Sequence, residues 1–250
     1  MSFVVVIPAR LASTRLPGKV LREIAGEPML AHVCRAARAS RAETVIVAAD
    51  SPQIAAVAEA NGVEAVLTRD DHACGSDRIA EVVVTRGLAD EAIVVNVQAD
   101  EPLMPPSLID QVGDALVGDR SADMASAYTR IDTHEAFVDP NIVKVVVDAR
   151  GQARYFSRAP IPFHRDSGNR EFSPLACRHL GIYGYRVGAL KRFSAAPPGA
   201  LEQHESLEQL RAFDLGLTIS MVEAWELPGP GVDTEADLLR VEKQLGEKTQ

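Results

Sequence analysis

Short runs of apolar, largely β-branched residues recur through the first half of the chain, at Phe3 to Ile7, Thr44 to Ala48, Val63 to Leu67 and Ala92 to Val97. A run of this kind, without polar alternation, predicts a strand buried on both faces. Between the runs, Met29 to Ala39, Gln53 to Ala60, Ser76 to Arg86 and Ser107 to Val117 carry apolar residues at helical spacing. Strands that alternate with helices predict an α/β fold: a parallel sheet covered by helices on both sides.

The pattern changes after about residue 120. Met124 to Arg130, Val143 to Val147 and Ala153 to Phe156 read as strands with short connections, and DARG at 148 to 151 reads as a hairpin turn, so the sheet is expected to become mixed there. Residues 157 to 176 are rich in proline and charge and predict a surface excursion at the substrate side or at a subunit contact. Regular structure then returns with a strand at His179 to Tyr185, a helix near Glu202 to Phe213, a strand around Leu217 to Val222 and a last helix from Thr234 to Leu245. No internal repeat interrupts this order. One αβα domain over residues 1–250, with an inserted lobe at about 130–190, is the economical organisation.

Composition narrows the function classes. A length of 250 residues with 46% hydrophobic content supports a sizeable core. The formal net charge of -9 argues against nucleic acid as a partner, because sequence-independent binding needs a broad basic surface. The three cysteines, Cys34, Cys74 and Cys177, form no CxxC pair or zinc-ligand pattern, which suits reduced thiols in the cytoplasm. The apolar run at the start is too short for a signal peptide, and no stretch approaches the ~20 apolar residues of a membrane span. A soluble cytoplasmic protein without a membrane partner is expected.

In a parallel sheet, ligands bind beyond the carboxyl ends of the strands, so the loops after strands hold the candidate chemistry. From Arg10 to Arg22 the first such loop has four basic residues and no acidic one, in a chain that is acidic overall. Such a cluster repels itself unless an anion neutralises it. Its spacing suits a polyphosphate: Gly18 permits close backbone approach, Ser13 and Thr14 offer hydroxyls, and Arg10, Arg15 and Lys19 can meet different phosphates. The loop is neither GxxxxGK[ST] nor GxGxxG, which weighs against a Walker-type ATPase and a dinucleotide dehydrogenase.

Two carboxylates are candidates for a hard cation. Asp100 follows the strand-like run ending at Val97, and Asp233 follows the turn PGPG at 228 to 231. Each also has a structural reading: Asp100 as a cap or loop ligand, and Asp233 as the N-cap of the last helix. Local sequence leaves both roles open.

An ordered set of segments runs from end to end of the chain: VVVIPARLASTRLPGK at 4 to 19, TRDDHACGSDRIAEVV at 68 to 83, IVVNVQADEP at 93 to 102, YFSRAPIPF at 155 to 163, CRHLGIYGYR at 177 to 186, LEQLR at 207 to 211 and PGPGVDTEADL at 228 to 238. In this order they closely resemble the KDO cytidylyltransferase family, also called CMP-KDO synthetases, which join CMP to the acidic sugar 3-deoxy-manno-octulosonate (KDO).

The resemblance implies a nucleotidyltransferase variant of the Rossmann-like fold, a mixed but mostly parallel sheet with a small dimerisation and sugar-binding lobe, and a homodimer. It implies CTP and KDO as substrates, pyrophosphate as co-product, magnesium as cofactor, and a product used in lipopolysaccharide synthesis. Arg10, Arg15 and Lys19 fall where the family holds the triphosphate, with Lys19, Asp100 and Asp233 catalytic and both aspartates on magnesium. Ala73, Ser76 and Arg78 fall around the cytosine and ribose. Gln98, Arg158, His179, Tyr183 and Glu208 fall in the sugar region, with Arg158 or a protonated His179 meeting the sugar carboxylate. Without the resemblance, His179 and Tyr183 read as core residues.

Two positions depart from the family pattern: Ala99 replaces a usual Gly, which φ < 0 would tolerate, and CGSD at 74 to 77 replaces SGT followed by Asp or Glu. A synthetase for another acidic sugar, such as a sialic acid, shares the phosphate and metal residues and is the near rival. A catalytically silent nucleotide-binding subunit is the distant one. A cysteine hydrolase is disfavoured because no cysteine sits in a nucleophile motif.

Overall fold

A computed structural model describes residues 2–13, 15–165 and 172–248. Its first half is the expected alternation. Strand β1 (Phe3–Ala9) leads through a small hairpin, β2 (Glu23–Ile24) and β3 (Glu27–Pro28), into α1 (Met29–Arg38). Then follow β4 (Thr44–Ala49), α2 (Pro52–Ala60), β5 (Glu64–Leu67), α3 (Gly75–Thr85), β6 (Ile93–Asn96) and α4 (Pro106–Gly118). The second half contributes β7 (Met124–Arg130), α5 (His134–Val138), β8 (Lys144–Val147), β9 (Ala153–Ser157), β10 (Cys177–Arg186), α6 (Val187–Ala195), α7 (Ala200–Glu205), α8 (Arg211–Asp214), β11 (Ile219–Glu223) and α9 (Glu235–Lys248).

The main sheet runs in the order β11-β7-β10-β6-β1-β4-β5. Strands β6, β1, β4 and β5 pair in parallel, as do β7 and β11, while β10 is antiparallel to both β6 and β7. Within this seven-strand path, one reversed strand makes an otherwise parallel sheet mixed. From β1 the chain moves outward to β4 and β5, then returns to the other side of β1 as β6. That reversal opens a crevice at the carboxyl ends of β1 and β6.

Alternate residues of each strand feed two cores. Val5 and Ile7 pack with Leu30 and Val33 of α1 and with Leu108 and Val112 of α4. Val6 faces the other way, with Ile79 and Val82 of α3 and Leu190 and Phe193 of α6. Helix α4 lies close on β1 because Gly113 has no side chain: a Cβ there would sit 2.5 Å from the Phe3 ring.

Several expectations need correction. The helix foreseen over Glu202 to Phe213 is broken into α7, a 3-10 turn at Glu208–Leu210 and α8, because Ser206 ends α7 in the left-handed region at φ 52°. Helix α6, entered directly from β10, and the β2/β3 hairpin were not foreseen. The inserted lobe is narrower than 130–190, since β10 lies between β6 and β7 and buries Ile182 in one core and Tyr185 in the other. The rest of that segment pairs at the edge: β8 joins β10 and β9, and the turn between β8 and β9 closes as expected with Gly151 at φ 76°. Part of the excursion, residues 166–171, and Thr14 of the first loop lie outside the described residues.

Candidate active site

The loop after β1 is tied down at its start. The Leu11 amide donates to both Asp50 carboxylate oxygens at 3.1 Å, just beyond the end of β4. Farther on, Gly18 adopts φ 63°, and the chain enters a 3-10 turn at Lys19–Leu21. Lys19 Nζ then lies 2.6 Å from Asp100 Oδ2, in the loop after β6.

Asp233 arrives from the far end of the chain by backbone docking. Val232 N donates to Asp100 O at 2.9 Å, and Gly229 N donates to Leu103 O at 3.3 Å. The two carboxylates thereby flank one ammonium: Lys19 Nζ is 3.1 Å from Asp233 Oδ1, and Arg15 Nη2 meets that same oxygen at 3.0 Å.

Helix capping is done by the next residue. Thr234 Oγ1 accepts from Asp237 N at 3.3 Å, while Thr234 N donates to Asp237 Oδ2 at 3.0 Å, a reciprocal capping box. The Asp233 carboxylate is left to the cations. Ala99 is not among the described non-glycine residues with positive φ, which are Ala25 and Ser206, so the alanine fits without strain.

Arg10, Ser13, Arg15, Lys19, Arg78, Gln98, Asp100 and Asp233 all line one cavity of about 260 Å³. Arg78 is buried and donates to Thr68 Oγ1 at 2.6 Å and Arg69 O at 2.8 Å, and burial lowers its pKa. Gly75, at the start of α3, lies so close to the strand end that a Cβ would meet Pro8 at 3.2 Å. The lack of a side chain there leaves a slot between α3 and β1.

A second cavity of about 450 Å³ is lined by Ala73, Asp77, Ser194, Glu202, Glu208 and Arg211 among others, and Cys74 lines both. Glu208 Oε1 accepts from Ser76 Oγ at 2.7 Å and from Cys74 Sγ at 3.1 Å. Ser76 is buried and holds Glu208 rather than lining either cavity, and Ala73 lies on the second cavity, not the first.

Three further predicted site residues, like Ser76, stand apart from both linings. Arg158 spends its guanidinium on backbone carbonyls, those of Glu205 at 2.8 Å, Pro140 at 3.0 Å and Ser206 at 3.3 Å. His179 is buried, with Nε2 2.9 Å from Ser126 Oγ, and burial pushes its pKa down to about 3. A protonated His179 is thus corrected to a neutral imidazole. The Tyr183 ring packs against the His179 ring, tilted by 51° at 5.4 Å between centroids, and burial pushes its pKa up.

Other groups at the site escaped the sequence reading. His72 lines the first cavity with Nε2 2.5 Å from Glu81 Oε2. Arg211 is buried against Glu202 at 2.5 Å and lies 3.7 Å from Glu208. Burial, reinforced by Asp100, pushes the Glu101 carboxyl up to about 7. Asp50 offered a usable signal, since it is a carboxylate directly after a strand end.

Comparisons with known proteins agree with one another. Residues 4–219 match the sequence profile of the cytidylyltransferase family. The 3-deoxy-manno-octulosonate cytidylyltransferase of Acidovorax ebreus (strain TPSY) is 52% identical over 257 residues, covering 98% of this chain and 97% of the relative. That of Thioalkalivibrio sulfidiphilus (strain HL-EbGR7) is 52% identical over 248 residues, covering 98% and 99%. A solved CMP:2-keto-3-deoxy-manno-octonic acid synthetase, complexed with CTP, superposes with a TM-score of 0.91 at 38% identity, covering 99% of this chain and all of that one.

Proposed function

The chain belongs to the 3-deoxy-manno-octulosonate cytidylyltransferase family, and from that premise we propose that its two adjoining cavities carry the family's reaction, transfer of CMP from CTP to KDO with release of pyrophosphate. The observation that carries this reading is the convergence of Arg10, Arg15 and Lys19 with Asp100 and Asp233 in one cavity at the sheet's switch point. Cations for a triphosphate and carboxylates for its metal meet there.

The donor set suits magnesium. Two carboxylates share one cationic contact point, and among the described residues no group of three or more His, Cys, Asp and Glu side chains forms an all-protein cage. Magnesium favours this arrangement, one or two carboxylates with phosphate oxygens and water completing its shell. Asp100 and Asp233 would hold it. There it would supply polarisation of the α-phosphate and a lowered pKa for the attacking sugar hydroxyl.

The chain's own groups do the rest by position and charge. Arg10, Arg15 and Lys19 bind the triphosphate and stabilise the charge that grows on departing pyrophosphate. Arg78 frames the nucleoside from α3; Gln98, expected on the sugar side, lines the same cavity, whereas Ala73 lies on the second cavity and Ser76 acts through Glu208. Glu208, fixed through one oxygen by Ser76 and Cys74, accepts from sugar hydroxyls in the second cavity. Arg158, His179 and Tyr183 shape that side from behind, through the carbonyl ties and ring packing described above. Displacement is direct and in line, with no enzyme nucleophile. Burial raises the Cys74 pKa to about 12, which suits a thiol that donates a hydrogen bond.

KDO is favoured over sialic acid by the RHLGIYGY and LEQLR segments and by the relatives' names. The working form is a homodimer, supported by the exposed Phe163 and Leu175 on the edge segment. Cytoplasmic residence is supported by three free cysteines and by the absence, among the described residues, of a helix long and apolar enough to cross a membrane. There the product supplies lipopolysaccharide synthesis. Pyrophosphate release should require CTP, KDO and magnesium together, and each omission, or replacement of CTP by ATP, GTP or UTP, should abolish it. Equal release with sialic acid would overturn the sugar assignment, and none under any condition would indicate a silent binding subunit.

A further inference from the structure

Of the two cations that contact the carboxylate pair, Lys19 is the more buried and the one that touches both. Its side chain is only 12% exposed, against 35% for Asp100 and 48% for Asp233, yet its ammonium touches both carboxylates, at 2.6 and 3.1 Å. Asp233 Oδ1 is shared further with Arg15. Two carboxylates brought side by side by backbone docking repel each other, and a cation between them removes that cost. Lys19 occupies the contact point that a divalent cation on the same two carboxylates needs. Its contacts, to Asp100 Oδ2 and Asp233 Oδ1, weaken while such a cation binds, because an ammonium and a metal ion held by the same two carboxylates repel each other.

We infer that Lys19 is an exchangeable counter-ion of the metal site: it pairs with Asp100 and Asp233 until CTP arrives, then transfers its charge to the phosphates and releases the carboxylates to the metal. This rests on the assignment of Asp100 and Asp233 as metal ligands. Lys19 thereby opposes metal binding to the nucleotide-free enzyme and makes metal and CTP bind cooperatively. The cooperativity follows from linkage, since whichever of the two removes Lys19 from the carboxylates eases entry of the other. Arg15 does not replace it, because Arg15 contacts Asp233 alone among the pair and is 65% exposed.

The test uses manganese as a paramagnetic stand-in, titrated into the full-length protein without nucleotide and followed by electron paramagnetic resonance. Lys19→Met should bind manganese alone about tenfold more tightly than the wild type, whereas Lys19→Arg, which keeps the charge, should stay weak. In chelator, Lys19→Met should melt lower than the wild type, and magnesium alone should raise its melting temperature by more. Unchanged or weaker manganese binding by Lys19→Met, with the wild type binding manganese normally in the presence of CTP, overturns the counter-ion role and leaves the metal site standing. No manganese binding by the wild type with CTP removes the metal assignment and this inference with it. Should Lys19→Met fail to fold, the wild type alone decides: manganese affinity must rise about tenfold when a non-reactive CTP analogue is added, and equal affinities contradict the proposal.

Discussion

The two sides of the site are built in opposite ways. On the side proposed for the nucleotide, charged groups converge on open space: Arg15 is 65% exposed, and Arg10, Lys19, Asp100 and Asp233 share a cavity wall. On the sugar side, the polar groups are largely consumed by the protein itself, with Arg158 bound to three carbonyls, His179 to Ser126, and Glu208 to Ser76 and Cys74. A triphosphate brings its own high charge and can be met by flexible cations, whereas an arrangement of hydroxyls is recognised by groups held still. The nucleotide side is thus expected to tolerate loss of a cation with weakened binding, and the sugar side to lose stability together with specificity.

The largest effect that would break this contrast is at the carboxylate pair. Asp100→Asn and Asp233→Asn should each remove most turnover with little change in melting temperature, because both side chains are partly exposed and neither fills a core. A lowered melting temperature with turnover intact in Asp233→Asn would return that residue to a structural role. Next in size, Lys19→Ala and Arg10→Ala should weaken CTP more than KDO, by about 1.5 to 3 kcal/mol, or roughly tenfold to more than a hundredfold, as calorimetry can show.

On the sugar side the expected signature is pH-dependent stability. Above about pH 6.5 neither folded nor unfolded His179 carries a proton. As pH falls below that value, the unfolded chain gains a proton that the buried ring refuses down to about 3. Stability should therefore fall by up to about 1.4 kcal/mol per pH unit across this window, from this one group. His179→Gln should flatten the slope of urea-unfolding free energy between pH 6 and pH 4, and an unchanged slope would show that the ring titrates normally. The smallest effect belongs to the capping box: Thr234→Ala should cost about 1 kcal/mol in the same assay, and a loss well below that would move the cap away from Thr234.

What could be read from the residues alone follows the range of the interactions involved. The strands β1, β4 and β6 were legible because both faces are largely buried, so burial appears as unbroken apolar runs, whereas β5, at the sheet edge with Leu67 exposed, was legible from its apolar residues alone. The basic loop was legible for a similar reason, since its charges lie close together in sequence. The break at Ser206 was not, because a single left-handed residue halts a helix without disturbing its apolar spacing. The division of labour between Asp233 and Thr234 was hidden as well. Both are good caps locally, and only the docking of Val232 on Asp100 turns one of them toward Lys19. Arg158 is the extreme case, with partners at Pro140, Glu205 and Ser206 that no local window brings together.

Asp100 and Asp233, distant in sequence, are proposed to form the metal seat beside Arg10, Arg15 and Lys19. Crystals grown with manganese and a non-reactive CTP analogue, measured at the manganese absorption edge, test it most directly. An anomalous peak is expected within coordination distance of both carboxylates, with Lys19 Nζ displaced from them toward the phosphates. A metal peak that touches neither carboxylate, or Lys19 still bridging both aspartates with metal and nucleotide in place, would contradict it.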